Sequence, residues 1–102
     1  MAKTSETALG LAVMRFLATR PNGQATMRTI IKQLPDRIEL TAEDHEPSGV
    51  RPHEEMWEQR VRNLKSHDDT LGNILAEGLI ERLDRGHYRL TEAGYAHLGY
   101  RE

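Results

Sequence analysis

Apolar positions recur at helical spacing from the start of the chain. Leu9, Ala12, Val13, Phe16 and Leu17 fall on one stripe, the pattern of an amphipathic helix. Thr4 or Ser5 caps that helix, which is predicted to run to about Thr19, and the breakers Arg20-Pro21-Asn22-Gly23 end it. Thr26 caps a second helix in which Met27, Ile30, Ile31 and Leu34 keep the same period until Pro35-Asp36. Arg37-Ile38-Glu39-Leu40 is open between one more helical turn and a short strand with Ile38 and Leu40 inward. Thr41-Ala42-Glu43-Asp44 carries a helix-start signal, a threonine with a carboxylate three positions on. His45 to Pro52 is a loop by composition. From His53 the helical period returns, with Trp57, Val61 and Leu64 on one face and Arg60, Arg62 and Lys65 elsewhere. Ser66-His67-Asp68-Asp69 repeats the capping signal, so a break or bend is expected near Ser66. One long bent helix through Leu71, Ile74 and Leu75 also satisfies the apolar phase.

The stretch from Leu71 to Gly94 has almost no spare residues. Gly78 ends a helix that buries Leu71, Ile74 and Leu75, because glycine enters the left-handed conformation of a helix C-terminus cheaply. Leu79 and Ile80 begin a strand, Asp84-Arg85-Gly86 turns it, and His87-Tyr88-Arg89-Leu90 returns. Period-2 alternation sets Tyr88 and Leu90 on one face and His87 and Arg89 on the other. Thr91 caps a closing helix through Glu92, Ala93, Tyr95 and Leu98. The expected fold is therefore α+β, mostly helical: a winged helix-turn-helix with a C-terminal β-hairpin wing and a closing helix. Residues 1–102 are expected to form one such domain, with its core over 7–98.

Composition excludes several classes. The 102 residues contain no cysteine, which removes disulfides and thiolate zinc sites and fits a reducing compartment. No apolar run approaches the ~20 residues of a membrane span. The polar opening with Glu6 lacks a signal-peptide profile, so a cytoplasmic protein without a membrane partner is expected. The net charge of −2 is unevenly spread. Residues 41–58 hold Glu43, Asp44, Glu46, Glu54, Glu55 and Glu58 against Arg51 alone, and the remainder holds 13 basic and 10 acidic residues. Between Arg82 and Arg89, three arginines and His87 face only Asp84. This is a modest basic wing beside an acidic patch, weaker than the footprint of a tight non-specific nucleic-acid binder.

No catalytic constellation is found. His53-Glu54-Glu55 matches the first half of a His-Glu-x-x-His zinc motif, but Trp57 stands where the second histidine belongs. A nuclease centre built on Pro35-Asp36 would need an acidic-x-Lys triplet. The residues two before Lys3, Lys32 and Lys65 are Met1, Ile30 and Asn63. No nucleophile elbow and no phosphate-cradling glycine loop occurs, so neither enzyme activity, cofactor nor metal is expected. Trp57, in phase with Val61 and Leu64, is expected in the core or at an interface rather than as a base-stacking platform.

Met27 to Thr41, Arg60-Val61-Arg62 and above all Leu75 to Gly94 carry a family likeness. In the last block Leu75, Gly78-Leu79-Ile80, Arg85-Gly86, Tyr88-Arg89-Leu90-Thr91 and Gly94 are the matching positions. From Thr7 to Leu98 the chain resembles the winged-helix domain at the N-terminus of Mrr-type restriction endonucleases. The same glycine, leucine and threonine pattern recurs in other winged-helix families, including multiple-antibiotic-resistance-type repressors. The segment between Arg60-Val61 and Leu75 is longer than that family's. The resemblance implies a bacterial-type DNA-binding regulator, or the recognition part of a restriction system without its nuclease. It implies base reading by the helix before the hairpin and phosphate contact by the wing. The candidate contacts to double-stranded DNA are Arg60, Arg62, Lys65, His67, Thr70, Asn73, Arg82, Arg85, His87 and Arg89. Among these Asn73 suits adenine and Thr70 a thymine methyl or a phosphate. Asp68, Asp69 and Glu77 on the same helix would repel phosphate. The acidic block keeps a second reading open, a winged-helix module for homodimerisation or for docking a protein partner.

The turn assignment is testable. Gly86→Val places a β-branched residue at positive φ and is expected to cost on the order of 1 kcal/mol or more. An unchanged urea midpoint would put the turn elsewhere.

Overall fold

The computed structural model describes residues 6–47, 53–62, 74–75, 77–84 and 86–99. Across these the chain is α+β. Four helices, α1 (Glu6–Ala18), α2 (Met27–Gln33), α3 (Met56–Arg62) and α4 (Glu92–His97), accompany three strands, β1 (Gln24–Thr26), β2 (Ile80–Asp84) and β3 (His87–Leu90). The strands form one antiparallel sheet in the order β1-β3-β2.

The predicted stripe of α1 is buried in full, and burial goes beyond it. Met14 joins Leu9, Ala12, Val13, Phe16 and Leu17 in the core, and Leu11 and Ala18 pack partly against it. Of residues 7–18 only Thr7 and Arg15 are exposed. The reason is position: α2, α3, β1 and β3 all lean on α1. Tyr88, Leu90, Ile80 and Ala25 form the sheet's side of the core, and Trp57 and Val61 close it from α3. Trp57 is a core residue, as its phase with Val61 requires.

The breakers after α1 form a 3-10 turn, Pro21–Gly23, with Asn22 at φ 59°. The chain then runs directly into β1. The third strand lies here, and both options open for Arg37–Leu40, a helical turn or a short strand, are corrected. Gln24–Thr26 pairs with the hairpin, while Arg37–Leu40 forms neither strand nor helix. Three residues are too few to show a period-2 pattern, and Thr26 serves twice. It ends β1 and caps α2, its hydroxyl accepting the Thr29 N–H at 3.2 Å. Pro35 tightens the end of α2 into the 3-10 turn Leu34–Asp36, closed by Arg37 and Ile38 N–H bonds to the Leu34 carbonyl. Ile38 and Leu40 still pack partly on the core.

The capping signal at Thr41 forms both of its bonds. Thr41 N–H donates to Asp44 Oδ2 at 2.8 Å, and Asp44 N–H donates to Thr41 Oγ1 at 3.2 Å. It starts a single turn over 42–45 and no helix. The chain is then bonded to the entry of α3, through Met56 N–H to Glu46 O at 2.7 Å and Trp57 N–H to Asp44 O at 3.1 Å.

Most of the expected helix before the hairpin, with the bend near Ser66, lies outside the described residues. Of its expected end, Ile74, Leu75, Glu77 and Gly78 are described, as turn residues. Gly78 takes φ +71°, its N–H donates to Leu75 O at 3.1 Å, and Leu79 N–H donates to Ile74 O at 2.9 Å. That pair of bonds is the one that closes a helix at a left-handed glycine. The hairpin follows where expected, with Gly86 at φ +71° in its turn. Tyr88 and Leu90 are buried, and His87 and Arg89 face outward, as the alternation implies. A bulge at Leu83 shifts the register, so that Arg82 opposes Tyr88 and Asp84 opposes His87.

Thr91 joins the hairpin to α4. Its hydroxyl accepts the Gly94 N–H at 3.1 Å and lies 2.5 Å from the Gly78 carbonyl and 3.0 Å from the Leu79 carbonyl, to which it can donate. Gly94 is a close approach: a Cβ there would sit 2.1 Å from the Leu79 carbonyl and 2.4 Å from a Leu90 methyl. Gly94→Ala is therefore expected to cost about 1–3 kcal/mol, the range for overpacking. A denaturation midpoint equal to wild type would contradict this packing of α4 on the sheet.

Candidate nucleic-acid interface

Of the expected DNA contacts, Arg60, Arg62, Arg82, His87 and Arg89 are described. Lys65, His67, Thr70, Asn73 and Arg85 lie outside the described residues.

The two arginines of α3 point at carboxylates of the acidic block. Arg60 Nη1 lies 3.9 Å from Asp44 Oδ1, and the Asp44 side chain is fully buried. Arg62 Nε donates to Glu54 Oε2 at 2.5 Å. A buried carboxylate is costly unless paired and hydrogen-bonded. The partners of Asp44 include the Thr41 N–H and Arg60. Arg60 is thus engaged in holding the 41–47 loop to α3.

The hairpin residues are also paired. Directly opposed residues of neighbouring strands share a face, so Gln24, Arg89 and Glu81 form one outward row, and Thr26, His87 and Asp84 the next. Along the first row Arg89 is ion-paired with Glu81. Along the second, His87 Nδ1 lies 3.9 Å from Asp84 Oδ1. With His87 neutral, the outward face between Glu81 and Arg89 carries two carboxylates and one guanidinium among its described residues. Arg82 differs. It is exposed at the inward row's edge beside Tyr88 and has no ion pair with another described residue. Burial holds the Tyr88 phenol above its ordinary value, and the Arg82 charge pulls the other way.

A second network occupies the entrance to α3. His45 Nδ1 lies 2.8 Å from Glu55 Oε1, which also accepts the Trp57 indole N–H at 3.0 Å. The His45 and Trp57 hydrogen bonds hold the Glu55 carboxyl below the usual glutamate range. Burial, reinforced by the Glu54 and Glu55 charges, pushes Glu58 above it.

Basic residues outside the expected set also stand exposed. Arg28 and Lys32 lie on α2. Arg37 and Arg20 stack over the Phe16 ring, 5.0 and 5.8 Å from its centre. The signal for the α2 pair was present in the sequence, since no acidic residue occurs between Thr7 and Pro35. Among the described residues no helix is long and apolar enough to cross a membrane.

No protein-family model matches the chain, no curated protein matches it, and no solved structure matches it.

Arg60→Ala removes a cation beside the buried Asp44 carboxylate and is expected to cost about 1–3 kcal/mol of stability. Arg82→Ala, at an exposed position, is expected to stay within about 0.5 kcal/mol. Urea midpoints of the two variants check the contrast. Equal midpoints would show that the Asp44 pair does not hold the loop.

Proposed function

We propose that this chain is a winged-helix module that binds duplex DNA without catalysing a reaction. The observation that carries the reading is the placement of β1. It follows α1, leads straight into α2, and pairs with the second strand of the hairpin in the order β1-β3-β2. The left-handed close at Gly78, the turn at Gly86 and the Thr91-capped α4 complete that arrangement. The likeness of Leu75 to Gly94 to the Mrr-type N-terminal domain supports the same reading. It suggests a small regulator or the recognition part of a restriction system. In this reading Arg82 and Arg85 contact phosphate, which positions the protein without reading bases.

One observation favours a second reading, a module for homodimerisation or protein docking. Arg60, Arg62 and Arg89 already face carboxylates. The two readings separate on the salt dependence of binding. A phosphate-contacting module loses affinity to any duplex as salt rises, with a log–log slope of roughly −0.9 per contact. Fluorescence anisotropy with a labelled duplex of arbitrary sequence, from about 50 to about 200 mM salt, is expected to give a slope of roughly −2 or steeper. Absent or salt-insensitive binding would move the assignment to the protein-docking reading.

A further inference from the structure

If DNA is the partner, the surface that meets its phosphates need not be the one the sequence singles out. Three of the expected cations are ion-paired to acidic side chains, and the sheet's outward face carries no excess positive charge among its described residues with His87 neutral. Helix α2 contrasts with this. Met27, Ile30, Ile31 and Leu34 turn its apolar side to the core. Arg28 and Lys32, four residues apart, stand on one face and are exposed. Neither makes an ion pair with another described residue. The ridge also has a defined neighbour. Met27 N–H donates to the Gly86 carbonyl at 2.7 Å, and Thr26 stands opposite His87. The start of α2 and the hairpin turn are therefore bonded together, and a cationic ridge begins beside the turn.

We infer that the Arg28–Lys32 ridge of α2 is a phosphate-contact surface for the backbone of duplex DNA. This rests on the DNA-binding reading above and deepens it. Charge complementarity argues for a polyanion. The ridge lies in a stretch, Thr7 to Pro35, without a single carboxylate side chain. Two cations four residues apart on a helix lie about 6 Å from each other along its axis, close to the spacing of successive phosphates on one strand, so both can meet the same backbone.

The test uses the full chain and a labelled duplex of arbitrary sequence. Wild type, Arg28→Ala/Lys32→Ala and the charge-conserving Arg28→Lys/Lys32→Arg are titrated at several salt concentrations. The alanine pair is expected to flatten the log–log salt slope by about two units, and the charge-conserving pair to keep the wild-type slope. Both variants are expected to keep the wild-type thermal midpoint, because both side chains are exposed and neither is ion-paired to a described residue. A wild-type slope that persists in the alanine pair would overturn this inference and leave the DNA reading standing. A wild type that shows no salt-dependent binding would overturn the DNA reading, and the inference with it.

Discussion

The burial of α1 on nearly every side is the constraint from which the other elements take their places. A helix enclosed in this way needs walls in several directions, and the chain supplies them from distant segments. These are α2 and α3, and a sheet whose inner face offers Ala25, Ile80, Tyr88 and Leu90. Burying one leucine or phenylalanine side chain is worth about 1.5–3 kcal/mol, so the α1 residues alone favour any arrangement that covers them. The three short strands depend on this. A two-stranded hairpin is marginal by itself in water, and here it gains a third strand from β1 and a helix to pack against.

Charge is arranged by the same geometry. The acidic block that appears along the chain as a separate patch is folded back on α3. Asp44 and Glu54 lie against Arg60 and Arg62, and Glu55 gathers His45 and Trp57. Asp44 and Glu54 are therefore met locally by Arg60 and Arg62, as Glu81 is by Arg89. What remains exposed and cationic without a carboxylate among the described residues is drawn largely from the acid-free stretch between Thr7 and Pro35, together with Arg82. A net charge of −2 thus conceals an uneven surface.

The junction of hairpin and closing helix combines several local demands at one point. Thr91 caps α4 and contacts the carbonyls at the end of the preceding turn. Gly94 lets α4 approach the Leu79 carbonyl, where any side chain would collide. Gly78 lets the chain reverse before the strand begins. Each of these residues meets its partners inside one short block of the chain, which is why the stretch from Leu75 to Gly94 reads so clearly.

That locality separates what the sequence by itself determined from what only the tertiary structure decided. The stripe of α1, the caps at Thr26 and Thr91, the reversals at Gly78 and Gly86, the hairpin faces and the burial of Trp57 were all legible. A helical period, a cap or a positive φ is a demand that neighbouring residues state among themselves. The strand Gln24–Thr26 was not legible, because it is a strand only by pairing with Arg89, Tyr88 and His87 far along the chain. For the same reason Arg37–Leu40 stayed open between strand and helix until β1 filled the place. The candidate site divided in the same way. Arg60, Arg62 and Arg89 were recognisable as cations, but a cation is available to a phosphate only if no carboxylate of its own fold reaches it first. Asp44, Glu54 and Glu81 reach them through turns and strand pairings that the order of residues does not display. Charge type belongs to the sequence; charge partnership is a matter of distance in space, and only the fold sets that distance.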